Sequence, residues 1–171
     1  MDTHAARVFP PSVPCVCGGR VDGPREPHLP INVPKIRIVI ADDHPPFRHL
    51  LQHIIESEPD MTVVAAVGDG VAALDTVCRL APDVAVLDVR MPGLDGIEVA
   101  RRLVDDHLPT RAVIVTMQVE RAVFERAIAA GVSGYVLKDT VLSEVVEAVR
   151  AVARGERYVT AAMSAGFGHE T

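Results

Sequence analysis

The sequence predicts an α/β fold, with five short parallel strands in one sheet and helices on both of its faces. Three observations point there. Short apolar runs alternate strictly with stretches of helical spacing across about 120 residues. Hydrophobic residues make up 49% of the 171 positions while aromatics make up 4%, with no Trp. The core must then be Val, Ala, Leu and Ile, the composition of a parallel sheet covered by helices. Finally, four of the five apolar runs end in polar residues, at the rim where open parallel sheets bind their ligands, while strand 2 ends in Gly68.

Each element has its own local cause. "KIRIVIADD" alternates, then runs apolar into two acids, and reads as strand 1. "PPFRHLLQHIIESEP" carries Phe47, Leu50, Leu51, Ile54 and Ile55 on one helical face, with proline in the first turn. "MTVVAAVGDG" is a β-rich run stopped by Gly68 and Gly70, and "VAALDTVCRL" is a second helix followed by Pro82. "DVAVLD" is strand 3, and "GIEVARRLVDDH" sets Ile97, Val99, Ala100, Leu103 and Val104 at helical spacing. "RAVIVT" is strand 4, and "VERAVFERAIAAG" is a helix closed by Gly131. "SGYVLK" is strand 5. "TVLSEVVEAVRAVARG" is the fifth helix, capped by Asp139 or Thr140 and ended by Gly155.

Residues 1–34 contrast with this pattern. They hold seven of the thirteen prolines and show no periodicity, so they read as a disordered tail. The abrupt change of composition also suits a segment that is not translated, with Val33 at the position of a GTG start codon. Cys15 and Cys17 match no common zinc spacing, and three cysteines make no disulfide framework. The formal charge of −6 is the wrong sign for a surface that clamps nucleic acid. No apolar run approaches the roughly 20 residues of a membrane span, and no secretory signal is visible. A cytoplasmic protein is expected.

Four strands deliver polar groups to one rim: Asp42 and Asp43 after strand 1, Asp88 after strand 3, Thr116 on strand 4 and Lys138 on strand 5. Singly, each has a plain reading. Asp42 or Asp43 can cap the next helix, Asp88 can open a turn, Thr116 can bond a neighbouring carbonyl, and Lys138 can be a solvated charge. Together, three carboxylates repel unless a cation intervenes. The lysine helps, and clustered hard oxygens suit Mg2+. A carboxylate there can attack phosphorus and become an aspartyl phosphate, a reaction that asks mostly for positioning and charge neutralisation. Asp88 is the candidate nucleophile, because "LDVRMPGLDG" turns sharply after it and Pro92, Gly93 and Gly96 leave room for a phosphoryl group.

From about Lys35 to Gly155 the chain resembles the receiver domain of bacterial two-component response regulators. "IVIADDH", "VLDVRMPGLDG", "VIVT" and "GYVLKD" carry the resemblance, in that order and spacing. "ADDHPPFR", "GYVLKD" and "AVRAVARGERYV" are most similar to the NarL/FixJ subfamily. The resemblance implies a doubly wound, flavodoxin-like (βα)5 fold with strand order 2-1-3-4-5. It implies a phosphoryl group taken by Asp88 from a sensor histidine kinase, and Mg2+ held by Asp43 and Asp88, by Asp42 through water and by the Arg90 backbone carbonyl. Lys138 would contact the phosphoryl group, and Thr116 with Tyr135 would form the switch pair. Arg90 and Gln118 would tune dephosphorylation. The output face would be helix 4, strand 5 and helix 5, and a homodimer would form there or through helices 1 and 5. Such a protein catalyses only its own phosphorylation and dephosphorylation.

Tyr135 also has a plain reading, as half-buried packing with a wet hydroxyl. Pro46, where a hydrophobic residue is more usual, is expected to shift the start of helix 1. No proline follows Lys138, so no cis bond is expected there. Residues 156–171 read as the remnant of a linker, with no helix-turn-helix after it and no grip on DNA by this chain. The alternative is the front part of a DNA-binding transcriptional regulator. A haloacid-dehalogenase-like phosphatase would want an acid where Arg90 stands. A flavin binder would want a Gly-, Ser- or Thr-rich cradle where "DDHPP" stands.

Overall fold

The computed structural model describes residues 34–166. They run through β1 (Ile36–Ala41), α1 (Pro45–Glu56), β2 (Met61–Val67), α2 (Gly70–Leu80), β3 (Val84–Leu87), α3 (Gly96–Asp105), β4 (Arg111–Thr116) and α4 (Arg121–Ala129). Then come β5 (Gly134–Leu137), a 3₁₀ turn (Lys138–Thr140), α5 (Val141–Ala153), β6 (Tyr158–Val159) and α6 (Ala161–Gly166). Every strand pair is parallel, in the order β2-β1-β3-β4-β5-β6. The expected five-strand order is present, with a sixth strand added beside β5. The tail predicted for residues 1–34, with Cys15 and Cys17, lies outside the described residues except for Pro34.

Side chains alternate across a strand, and this divides the core in two. Ile38, Ile40, Val84, Val86, Val113, Val115 and Val136 face Leu51 and Ile55 of α1 and the apolar stripe of α5. Val39, Ala41, Ala85, Leu87, Ile114 and Tyr135 face the other way, against α2, α3 and Ala127 of α4. The helices α4 and α5 are unequally anchored. Six residues of α5 are buried, but in α4 only Ala127 is.

Several local expectations are corrected. Leu50 is 40% exposed, because the burying stripe of α1 runs through Leu51 and Ile55. Pro45 and Pro46 both fit inside α1, which begins at Pro45. The first helical turn has no intrahelical use for their missing N–H groups. Strand β5 stops at Leu137, and Lys138 opens the 3₁₀ turn. Thr140 stands at the N-cap of α5, yet its hydroxyl meets the Glu144 carboxylate and the Leu137 carbonyl rather than a helix N–H. The 3₁₀ turn feeds directly into α5 through a bond from the Val141 N–H to the Lys138 carbonyl. Among the described residues no peptide bond is cis.

Gly155 turns the chain with φ of +87°. The residues after it return to the sheet as β6 and α6, so the stretch expected as a linker remnant is in part folded onto the domain. A two-residue strand has no periodicity to read, which is why it escaped the sequence.

Helix α2 ends on Ala81, a non-glycine residue in the left-handed region with φ of 43° and ψ of 63°. That conformation costs an L-residue roughly 1 kcal/mol. Ala81→Gly is therefore expected to stabilise the protein by about 0.5–1 kcal/mol, seen as a higher midpoint with unchanged slope in urea denaturation.

Candidate functional site

The rim at the carboxyl ends of the strands collects the predicted polar residues. Asp42 and Asp43 follow β1 directly, Asp88 follows β3, Thr116 is the last residue of β4 and Lys138 follows β5. Asp88 is fixed at its backbone, where its N–H donates to the Ala41 carbonyl at 2.8 Å and continues the sheet one residue beyond the strand. One carboxylate oxygen from each of Asp42, Asp43 and Asp88 lies within 4.8 Å of the others. Asp42 and Asp88 are buried and Asp43 is exposed, so the cluster opens to solvent on the Asp43 side.

Lys138 bridges the two buried acids. Its Nζ lies 2.6 Å from Asp42 Oδ2 and 3.1 Å from Asp88 Oδ2, and it sits 4.4 Å from the centre of the Phe47 ring. Such an ammonium over an aromatic face is attracted by the ring's quadrupole. Asp42 is saturated further: its Oδ1 accepts from the His44 N–H at 2.8 Å, and its carbonyl accepts from Arg48 Nη1 at 2.5 Å. Burial pushes the Asp88 carboxyl above the ordinary carboxylate range, against the opposing pull of the Lys138 ammonium. The solvated-charge reading of Lys138 is thereby excluded, and so is the reading of Asp88 as a bare turn opener.

The loop after Asp88 is held from two sides. The Gly96 N–H donates to the Val89 carbonyl at 3.0 Å and the Gly70 N–H to the Pro92 carbonyl at 3.1 Å. Gly96 and Gly70 stand where neighbouring backbone passes close. A Cβ on Gly96 would lie 2.1 Å from the Asp88 carbonyl oxygen, and one on Gly70 would lie 2.0 Å from the Leu94 carbonyl oxygen. These residues admit neighbouring backbone rather than clear space for a phosphoryl group. Gly93 meets a positive φ of 80°. Beyond the loop, a cavity of about 420 Å³ is lined by Asp43, Arg90, Met91, Asp95, Gln118 and Arg126, among others. The Arg90 side chain is exposed at its edge.

Thr116 and Tyr135 converge on one residue between them. The buried Thr116 hydroxyl accepts from the Gln118 N–H at 3.2 Å, and the Tyr135 hydroxyl donates to the Gln118 carbonyl at 3.0 Å. Tyr135 is fully buried rather than half-buried with a wet hydroxyl. Its ring stands edge-on to Phe124 with centroids 5.2 Å apart. Burial, with the nearby Glu120 charge, pushes its hydroxyl pKa up to about 12, so it remains a donor at any physiological pH. Tyr135→Phe is expected to cost about 1 kcal/mol, one hydrogen bond's net worth, measured by urea denaturation.

Sequence reasoning did not find Arg48, Phe47 or Gly70 as supports of this rim. The only available signal was their closeness in sequence to the strand ends.

Comparison with known proteins bears on the same residues. The family model described as the response regulator receiver domain matches residues 38–150. The probable transcriptional regulatory protein NarL of Mycobacterium tuberculosis is 38% identical over 136 residues, covering 80% of this chain and 63% of that protein. The nitrate/nitrite response regulator protein NarP of Escherichia coli is 36% identical over 121 residues, covering 71% of this chain and 56% of NarP. The chain thus spans about three-fifths of the length of these relatives. Among solved structures, the signal receiver domain of the Mycobacterium tuberculosis NarL superposes with a TM-score of 0.70 at 39% identity, covering 72% of this chain and 99% of that one. A LuxR-family two-component response regulator from Aurantimonas superposes with a TM-score of 0.73 at 34% identity, covering 77% of this chain and 94% of that one. On its rim, its strand order and these matches, the chain belongs to the response regulator receiver domain family, with relatives of the NarL and LuxR type.

Proposed function

We propose that this chain is a phosphorylation-controlled switch that takes a phosphoryl group on Asp88 from a sensor histidine kinase in a Mg2+-dependent reaction. The observation that carries the reading is the pairing of Lys138 with both buried acids on a rim that stays open at Asp43. In the transfer, an Asp88 carboxylate oxygen forms the O–P bond as the P–N bond to the kinase's phosphohistidine breaks. The imidazole leaves with that electron pair and takes up a proton. Dephosphorylation returns the group to water.

The acidic set fits a hard divalent cation. Its oxygens lie within 4.8 Å of one another, and two of the three carboxylates are buried with a single ammonium between them. Asp43, Asp88 and the Arg90 carbonyl would hold Mg2+, with Asp42 acting through water. When bound, the ion supplies charge neutralisation of the phosphoryl oxygens. Lys138 would exchange its contact with the Asp88 oxygen for one with a phosphoryl oxygen. Thr116 would turn its hydroxyl from Gln118 toward the same group. Losing that bond frees one side of the β4–α4 loop, while Tyr135 holds the other. The face of α4, β5 and α5 would then read out the change, a two-state equilibrium biased by one charged group.

The switch turns over no metabolite and acts in the cytoplasm through protein contacts, including self-association at that face or through α1 and α5. Among the described residues no helix is long and apolar enough to cross a membrane. A second reading, the front part of a transcriptional regulator, is favoured by the relatives' names and by their greater length.

Incubation with Mg2+ and acetyl phosphate, read by intact mass, is expected to add one phosphoryl group that Asp88→Asn abolishes. Modification persisting in that variant would overturn the assignment.

A further inference from the structure

The chain beyond α5 makes specific contacts with one residue of the switch pair. The Tyr158 N–H donates to the Ser133 carbonyl at 3.0 Å, and the Thr160 N–H donates to the carbonyl of Tyr135 itself at 2.9 Å. Thr160 is fully buried, with its hydroxyl 3.3 Å from that of Thr140. Met163 is 3% exposed and belongs to the same apolar cluster as Tyr135, with Val159 and Phe124 packed against that cluster. The neighbours of Met163 on α6, Ala161, Ala162 and Ser164, are exposed. The start of α6 therefore holds to the domain through one side chain, in the cluster that contains the Tyr135 ring.

We infer that Tyr158–Ser164 is an intramolecular sensor of Tyr135, docked tightly when the ring is buried and loosened when it is not. The reason is packing. Interiors fill space at crystal-like density, so withdrawing the ring opens a void in the cluster that seats Met163. Moving the β5 backbone at Tyr135 also disturbs the bond to Thr160. The segment is a terminal one, paired along one side only with β5, and terminal segments sit toward the low-stability end of a fold. Coupling of this kind is reciprocal, so docking the segment favours the buried ring. The inference rests on the proposed function only for what biases the ring, namely phosphorylation at Asp88.

The test uses the full chain with ring-labelled tyrosine, read by NMR together with amide hydrogen exchange. In the metal-free protein, Met163→Ala is expected to speed exchange of the Thr160 amide about 5-fold or more. It is also expected to shift the Tyr135 ring resonances while leaving Val145 in α5 unaffected, and Met163→Leu should restore both. Adding Mg2+ and beryllofluoride to the parent should change exchange at Tyr158 and Thr160 by a similar factor. Unchanged Tyr135 ring resonances and unchanged Thr160 exchange in Met163→Ala would overturn the inference. So would beryllofluoride that binds at Asp88 and leaves the Tyr158 and Thr160 amides as they were. Failure of beryllofluoride to bind at all counts against the Asp88 assignment, and the metal-free measurements then decide the sensor by themselves.

Discussion

Asp88→Asn is expected to abolish phosphoryl acceptance and, in the metal-free protein at neutral pH, to raise stability. The first effect is absolute in kind, because a carboxamide offers no anionic oxygen to phosphorus. The second follows from the direction of the Asp88 shift. Burial raises its pKa in the folded state, so the folded protein binds the Asp88 proton more tightly than the unfolded chain does. Stability from this group is therefore highest at low pH, and it falls as pH rises from the unfolded value through the raised folded one. At neutral pH the folded state carries the full cost of a buried charge. The amide removes that cost, and Lys138 is not left alone, because Asp42 still sits 2.6 Å from it. Thermal unfolding from acid pH up to neutrality without metal checks the prediction: the variant should melt higher at neutral pH, with the gap opening as pH rises through the raised Asp88 value. A variant that melts lower across that range contradicts it.

Gly96→Ala is expected to be a severely damaging single-methyl change directly beneath Asp88. The added carbon would lie 2.1 Å from the Asp88 carbonyl oxygen, 2.9 Å from its carbonyl carbon and 3.3 Å from the Leu87 Cβ. The nearest obstacle is backbone, and it cannot rotate away. The Asp88 N–H is tied to Ala41, and the Gly96 N–H to Val89. Overpacking of this severity costs about 3 kcal/mol or more. Relief by moving the Asp88 backbone would also pull its carboxylate off Lys138, so phosphorylation should fall with stability. Gly93→Ala is the control. Its added carbon would meet the Val71 side chain at 2.9 Å and a φ of +80°. A side chain can yield, so about 1–2 kcal/mol is expected there. Urea denaturation of the two variants checks the ranking, and equal losses would show that backbone crowding under Asp88 is not the cause.

The fold was legible because four of the five predicted strands end where an apolar run meets an acid, a threonine or a lysine, β2 runs into Gly68, and each helix ends near a glycine or proline. The convergence of Asp42, Asp43, Asp88, Thr116 and Lys138 was legible for the same reason: parallel strands send all their carboxyl ends to one rim. Pairing within the rim was not. Nothing in "LKD" says that the lysine lies nearer Asp42 than Asp88, since that depends on the 3₁₀ turn beginning at Lys138. Nor could spacing show that Gln118 is gripped from both sides, because one of its partners is 17 residues away. Gly96 was read by what it leaves empty and Gly70 as a strand stop, whereas in the molecule both matter for the backbone that fills their space.

The unequal anchoring of α4 and α5 gives the sheet one compliant helix and one stiff one. Helix α5 sinks six side chains into the interior, while α4 commits Ala127 alone. A stimulus arriving at the β4–α4 loop therefore meets little mechanical resistance from α4, and α5 serves as the fixed frame against which that displacement can be felt.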